Sequence, residues 1–327
     1  MTIYDIAEAA GVSIATVSRV LNGMPKVSKK TRDKVLAVIE SGNYVPSALA
    51  QNLSSRNSLK NVGVICYNFE DVYYARAVSL LEKPLREKGY NIILVATGAD
   101  REHQTKSISL LTAKQVDAII LVGSVFVSGQ NDDHLITAAK KLPVLIINGR
   151  IPADNCYSFY CDDRLAVSSV CENLASEGKK IAYFYDTEAY SAKMKLKGFK
   201  EFCGKINANP DELSVKCQSS PRSAKEEFKK FRLKHPEINA VVASNDLLAA
   251  GVSAGAREIG LTVPGDLRVI GYNDSVICEC ASPALSSIDN KIEDICKKAV
   301  ETLTGIFNGL PVEKEFKVTA TLTERES

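Results

Sequence analysis

TIYDIAEAAGVSIATVSRVLN, residues 2–22, is the stretch around which the chain is organised. It reads as two short helices joined by a tight turn at Gly11, Val12 and Ser13. Thr2 followed three residues later by Asp5 suits a capped helix start. Ile3, Ile6, Ala7 and Ala10 recur at helical spacing and define one apolar face. Gly11 stops that helix, because glycine enters the left-handed region without a Cβ clash. Ser13 is placed to cap a second helix, Ile14 to Asn22. In that helix Val17, Val20 and Leu21 would face the first one. Ile14, Ala15, Thr16, Ser18, Arg19 and Asn22 are left outside. That outer face is short, polar and cationic, as expected of a helix laid in a DNA major groove. An ordinary amphipathic hairpin has the same pattern, so the remainder of the chain must decide.

The chain has 327 residues, 45% of them hydrophobic and 24% charged, which suggests two or three domains with ample core. The net charge of +2 does not advertise nucleic acid, but its distribution does. Residues 1–60 carry eight Lys/Arg against four Asp/Glu, a net +4; residues 61–327 carry 33 against 35, a net −2. A small basic head on a near-neutral body fits a DNA-binding module on a regulatory domain; a solvated charged surface gives the same count. There is no signal-peptide-like run at the start and no stretch approaching the roughly 20 apolar residues of a membrane span. Nine scattered cysteines without CxxC spacing read as reduced, mostly buried thiols of a cytoplasmic protein. The three histidines, His103, His134 and His235, lack metal-ligand spacing, so no metal or cofactor is expected.

After Asn22 a loop leads to Ser28, which caps a third helix reaching about Ser41, with Val35, Leu36, Val38 and Ile39 as its buried stripe. Lys29, Lys30, Arg32 and Lys34 crowd its first turns, where cations are unfavourable unless an anion such as phosphate lies nearby. Ser47 to Ser54 reads as a helix of about two turns, too short to be stable alone. The polar run Ser54–Ser58 is the clearest domain boundary. The expected domains are a head at 1–46, a short helix and linker at 47–60, and a body at 61–327. From Asn61 onward, short apolar strands alternate with amphipathic helices, starting with Val62–Cys66 and a helix from about Tyr73 to Lys88. A second round begins after Tyr157 and ends with a strand at Arg268–Gly271. This repetition means two doubly wound parallel lobes, the first about 61–158 and 289–317, the second about 159–288 and 318–327. A ligand cleft is expected between them, at the carboxyl ends of the strands. No G-x-G-x-x-G after a strand, Walker A or G-x-S-x-G motif is present, which speaks against an α/β enzyme.

The sequence resembles the LacI/GalR family of transcriptional regulators over essentially its whole length. The residues that carry the resemblance are IYDIAEAAGVSIATVSRVLNG, VSKKTRDKVLAVIESGNYVPSALAQNLSS, VGVICYNFEDVYYARAV, KQVDAIIL, AKMKLKGF, ASNDLLAAGVSAGAREIGLTVPGDLRVIGYND, ALSSID and TLTERES. The implied fold is α/β, with an all-α helix-turn-helix head and a two-lobed body like a periplasmic binding protein. Ser13, Ile14, Ala15, Thr16, Ser18 and Arg19 then lie in the major groove, and Arg19 is the strong base reader, worth ~1–3 kcal/mol against a guanine edge. Ile14 and Ala15 offer only apolar contact. Ile3, Tyr4, Asn22, Ser28, Thr31 and Tyr44 match phosphate-contacting positions, with Lys26 among them; these set register rather than sequence. Ala50 and Leu53 are the DNA-contacting positions of the short helix. Leu53 matches a leucine that wedges into a central base step from the minor groove. Some relatives carry a lysine after that leucine; here it is Ser54.

In the cleft the resemblance singles out Asn68, Asp71, Tyr73, Tyr74, Asn148, Cys161, Asp162, Ser191, Lys195, Asn245, Asp246 and Asn273. Tyr73 and Tyr74 suit stacking on a sugar face or ordinary lobe packing equally. Sugar-binding relatives usually have aspartate at the positions of Asn148 and Asn273 and arginine at that of Lys195. Arg222 stands where relatives often place an aromatic residue. Two missing carboxylates and an added cation point to an anionic effector, a sugar phosphate or sugar acid; solvated Lys195 and Arg222 beside a plain sugar are the alternative. The expected protein is a cytoplasmic, ligand-responsive repressor that binds double-stranded operator DNA as a homodimer. A dimer is favoured over a tetramer because no heptad helix follows the last family strand. A periplasmic sugar-binding protein shares the body fold, but the basic head and nine thiols speak against it.

Overall fold

The computed structural model describes residues 2–21, 27–41, 61–128 and 132–327. It divides into two compact units, Met1–Lys60 and Asn61–Ser327.

The first unit contains α1 (Ile3–Ala10), α2 (Ile14–Leu21) and α3 (Lys29–Ser41). Thr2 and Asp5 form a full capping box: the Thr2 amide donates to Asp5 Oδ2 at 2.6 Å and the Asp5 amide to Thr2 Oγ1 at 3.3 Å. Gly11, at φ 61° and ψ 41°, closes α1, and its N–H reaches the Ala7 and Glu8 carbonyls. Ser13 Oγ then accepts the Thr16 amide at 3.2 Å, and Ser28 Oγ accepts the Thr31 amide at 3.2 Å, so each later helix has its N-cap. Ile6, Ala7, Ala10, Val17, Val20 and Val35 make a small buried core. Leu36 differs from the expected stripe, being 41% exposed. It lies about 100° round the helix from Val35, whereas Val38 and Ile39 fall three and four residues on and share Val35's face.

In the second unit, the first lobe carries β1 (Asn61–Cys66), α4 (Val72–Glu87), β2 (Asn91–Ala96), α5 (Arg101–Ala113), β3 (Ala118–Val122), α6 (Asp133–Ala139), β4 (Val144–Ile147) and β5 (Cys156–Cys161). The second lobe carries α7 (Asp163–Ser176), β6 (Ile181–Tyr185), α8 (Tyr190–Lys205), α9 (Pro210–Leu213), β7 (Ser214–Lys216), α10 (Pro221–Lys234), β8 (Ala240–Ala243), α11 (Asp246–Glu258), β9 (Arg268–Tyr272), α12 (Ile277–Cys280) and β10 (Ser286–Asp289). The chain then returns to the first lobe with α13 (Ile292–Phe307) and β11 (Glu315–Val318), and crosses back for β12 (Thr321–Thr323). The strand orders are β11-β5-β4-β3-β1-β2 and β12-β10-β9-β8-β6-β7. All pairings are parallel except β10 with β12.

Each sheet is covered on both faces, which is why its central strands read as unbroken apolar runs. The first sheet packs α4 and α13 on one side, through Ala77, Leu81, Ile295 and Ala299, and α5 and α6 on the other, through Ile108, Leu111 and Leu135. The second packs α7 and α8 opposite α10 and α11. β5 remains in the first sheet to Cys161, beyond the expected first-lobe limit near 158. Its sequence, CYSFYC, buries Cys156, Ser158, Phe159 and Cys161 but leaves Tyr157 and Tyr160 half-covered, so it shows no apolar run. Three crossovers therefore join the lobes, following β5, β10 and β11.

Candidate functional site

In the head, burial separates the two faces of α2. Val17 and Val20 are buried, whereas Ser13, Ala15 and Arg19 are exposed and Ile14 is 43% exposed. Thr16 and Ser18 lie half-buried at the edge. Thr16 Oγ1 and Ser13 Oγ are 2.9 Å apart, and Thr31 Oγ1 and Ser28 Oγ 2.8 Å apart, so both caps keep a hydroxyl pair at a helix N-terminus. Tyr4 is 68% exposed and Ile3 half-buried. Asn22, Lys26, Tyr44, Ala50 and Leu53, with the expected helix at 47–54, lie outside the described residues.

The body gathers a second set of polar side chains where its lobes meet. On the first lobe, Asn68 Oδ1 accepts the Asp71 amide at 3.0 Å, and Asp71 Oδ1 caps α4 by accepting the Tyr73 amide at 2.8 Å. Burial raises the Asp71 pKa, and the neighbouring Asp186 carboxylate adds to the rise. Tyr73 is buried, and its hydroxyl has no hydrogen-bond partner among the described residues. Tyr74 stands edge-on to it at 5.4 Å between centroids and packs against Gly123, where a Cβ would meet the Tyr74 ring at 2.6 Å. Asn148 is buried at the end of β4 with φ 61°.

On the second lobe, Lys195 of α8 is buried, contrary to a solvated reading. Its Nζ donates to the Ser244 carbonyl at 3.0 Å and sits 3.5 Å from the Tyr272 ring centroid. Asp163, at the first turn of α7, accepts the Ser191 hydroxyl and the Tyr272 hydroxyl, both at 2.5 Å. Burial pushes Asp163 up and Lys195 down, while each charge opposes the other's shift. Asp186, following β6, accepts from Ser219 Oγ at 2.7 Å, Asn245 Nδ2 at 2.9 Å and Ser244 Oγ at 3.3 Å, and its charge also favours the Lys195 cation. Cys161 is buried beside the Tyr272 hydroxyl, its thiol pushed up to about 12 by burial. Asn273 adopts φ 98° and accepts the Asn290 side-chain amide at 2.9 Å.

Two candidates, Asp162 and Asp246, make bonds within the scaffold. Asp162 caps α7 through the Leu165 amide at 3.1 Å and pairs with Lys317 at 2.6 Å. Asp246 accepts Ser287 Oγ at 2.6 Å and the Ser275 amide at 2.8 Å. Arg222 is exposed at the start of α10. Lys195 is set against the carboxylates of Asp163 and Asp186.

Asp163, Asp186, Tyr272 and Asn290 were missed from sequence. Asp186 follows an apolar strand, a position at which ligand-binding residues are expected. Nothing in the pair Asp162–Asp163 tells which carboxylate turns inward. Two surface hollows of about 520 and 550 Å³ lie elsewhere, one beside Arg150, Asp154 and Lys314, the other between α4 and the 274–279 loop. Among the described residues no cluster of His, Cys, Asp or Glu could hold a metal, and no helix is long and apolar enough to cross a membrane.

Residues 2–47 match the model of bacterial regulatory proteins of the lacI family, and residues 172–327 match a periplasmic binding protein-like domain. An HTH-type transcriptional regulator of Lachnoclostridium phytofermentans is 37% identical, covering 100% of this chain and 99% of its own. The chain belongs to the LacI family. Catabolite control protein A of Priestia megaterium is a further relative, 32% identical over 94% of this chain and 93% of that protein. The lac repressor dimer bound to operator and the anti-inducer ONPF superposes with a TM-score of 0.83 at 25% identity, covering 100% of this chain and 98% of that one. As a LacI-family member, the protein is a DNA-binding transcriptional regulator and not an enzyme. Its head and two-lobed α/β body are the two parts of that family's fold.

Proposed function

We propose that the protein is a cytoplasmic repressor of carbohydrate-utilisation genes that binds a pseudo-palindromic operator as a homodimer. The observation that carries this reading is the outer face of α2, which exposes Ile14, Ala15 and Arg19 above a core built from Val17 and Val20. Arg19 grips a guanine edge, Ile14 and Ala15 make apolar contacts to thymine methyls, and Thr16 and Ser18 complete the surface. Ile3, Tyr4, Asn22, Lys26, Ser28, Thr31 and Tyr44 hold phosphates. Ala50 and Leu53 enter the minor groove, where Leu53 kinks the duplex. The lac repressor's capture as a dimer on operator supports this arrangement.

The effector in this reading is a small polyhydroxylated molecule held between the lobes by Asn68, Asp71, Asn148, Ser191, Lys195, Asn245 and Asn273. Carboxylate, amide and ammonium groups suit hydroxyls because they offer both acceptors and donors at short range. Coupling arises because the ligand favours one lobe arrangement over the other and thereby changes operator affinity.

The test has two stages. Duplexes selected from a random pool by the full-length protein should share an inverted repeat. A panel of mono- and disaccharides should then contain compounds that alter binding to that duplex. Selection without any repeat would refute the dimeric operator reading, and a panel without effect would refute the carbohydrate effector.

A further inference from the structure

The buried Lys195 raises a question of selectivity. A lone ammonium at the base of a binding cleft would attract phosphates and carboxylates. Here it has company: Asp163 shares Tyr272 with it, taking the phenol hydroxyl at 2.5 Å while the Lys195 ammonium lies 3.5 Å from the ring centroid. Ser191, one turn before Lys195 on α8, also donates to Asp163 at 2.5 Å. The helix that brings Lys195 into the cleft is thus fastened to the carboxylate that opposes it. Asp186 faces the same ammonium and is held by Ser219, Ser244 and Asn245. Whether the proton of the Asp163–Lys195 pair resides on nitrogen or oxygen, the pair has no net charge, and Asp186 adds a negative one.

We propose that Asp163 sets the charge selectivity of the inter-lobe cleft, cancelling Lys195 so that the cleft receives uncharged polyols and rejects phosphorylated or carboxylated ones. This rests on the reading of the cleft as the effector site. Asp163 is a positioning and specificity-determining residue: it acts through Lys195 and Ser191. Its place on the first turn after the β5 crossover also puts this balance at the junction of the lobes.

The probe is inorganic phosphate, titrated calorimetrically into the full-length chain at constant ionic strength, with wild type as the reference for any phosphate bound by the basic head. Asp163→Asn should gain phosphate affinity of at least tenfold over wild type, Asp163→Asn/Asp186→Asn more, and adding Lys195→Met should abolish the gain. No gain in a folded Asp163→Asn chain, or a gain that survives Lys195→Met, overturns the proposal. Should Asp163→Asn fail to fold, Asp186→Asn supplies the readout, since it removes the second carboxylate set against Lys195 and leaves the Asp163 bonds to Ser191 and Tyr272 intact. A gain in phosphate affinity that Lys195→Met abolishes supports the proposal, and no gain overturns it. Failure of the effector reading is distinguishable: phosphate gain in Asp163→Asn with no carbohydrate acting on operator binding leaves the charge balance intact and removes the effector role.

Discussion

The exposed face of α2 and the polar floor between the lobes solve recognition in opposite ways. The head fixes its face with hydrogen bonds that span three residues, Thr2 with Asp5, Ser13 with Thr16 and Ser28 with Thr31, and leaves Arg19 exposed. The cleft draws its groups from positions far apart in sequence, Asp163 to Tyr272 across 109 residues and Lys195 to Ser244 across 49, and buries them already paired. A DNA-reading surface meets a highly charged, hydrated partner, so accessible donors cost little desolvation there. A buried site must partner its charged groups before a ligand arrives, because unpaired charge in a low-dielectric interior is strongly unfavourable. Counting charges therefore describes the head's exposed face, whereas in the cleft the Lys195 charge is offset by Asp163 and Asp186.

That contrast can be broken from either side. Ile6→Ala removes a fully buried side chain from a head core with few members and should cost about 2–5 kcal/mol. Chemical denaturation and a DNA-binding assay should together show loss of the head, with the unfolding transition of the body retained. Arg325→Ala attacks the body. Arg325 bonds Asp274 at 2.6 Å and the Leu285 carbonyl at 3.0 Å, with both partners of the ion pair about one-fifth exposed. Its loss should cost up to about 3 kcal/mol, somewhat below a fully buried pair, and loosen the loop after Asn273. Chemical denaturation checks the stability, and unchanged stability would mean the 274–279 loop is held by its other contacts. Ser13→Ala deletes the N-cap of α2 and should cost about 1 kcal/mol, weakening specific and nonspecific DNA binding together by misplacing the whole helix.

The smallest effect is a slope with pH. His134 is half-buried, and burial together with Arg101, whose guanidinium nitrogen lies 3.1 Å from Nε2, holds its pKa below the usual value, against a weaker pull from Asp132 and Asp133. The folded chain therefore resists protonating it while the unfolded chain does not. The stability this contributes is complete above the unfolded pKa and is lost as pH falls through and below about 6.5 toward the folded value. His134→Gln should flatten the pH dependence of the melting temperature in that range; an unchanged slope would assign the dependence to other groups.

Local grammar made the head and the central strands legible. Strands Val62–Cys66 and Arg268–Gly271 are legible to within one residue of β1 (Asn61–Cys66) and β9 (Arg268–Tyr272), because each is a short run rich in apolar residues. β5 escaped because Tyr, Ser and Cys interrupt its apolar character, and Leu36 was misplaced because helical angle, not hydrophobicity, decides which side is covered. The cleft was legible only in outline. Lys195 was visible as a cation, but Asp163 and Asp186 became its partners only through packing of α7, α8 and the loop after β6, which no local pattern encodes.

The proposed role of Arg19 is to read sequence from an exposed face while the rest of the head supplies register. Its most direct test is the affinity of wild type and Arg19→Ala for a selected duplex and a scrambled duplex of equal length, at one salt concentration. Arg19→Ala should lose about 1–3 kcal/mol per half-site on the selected duplex, with only a small loss on the scrambled one. An equal loss on both duplexes, or none on the selected one, would contradict it.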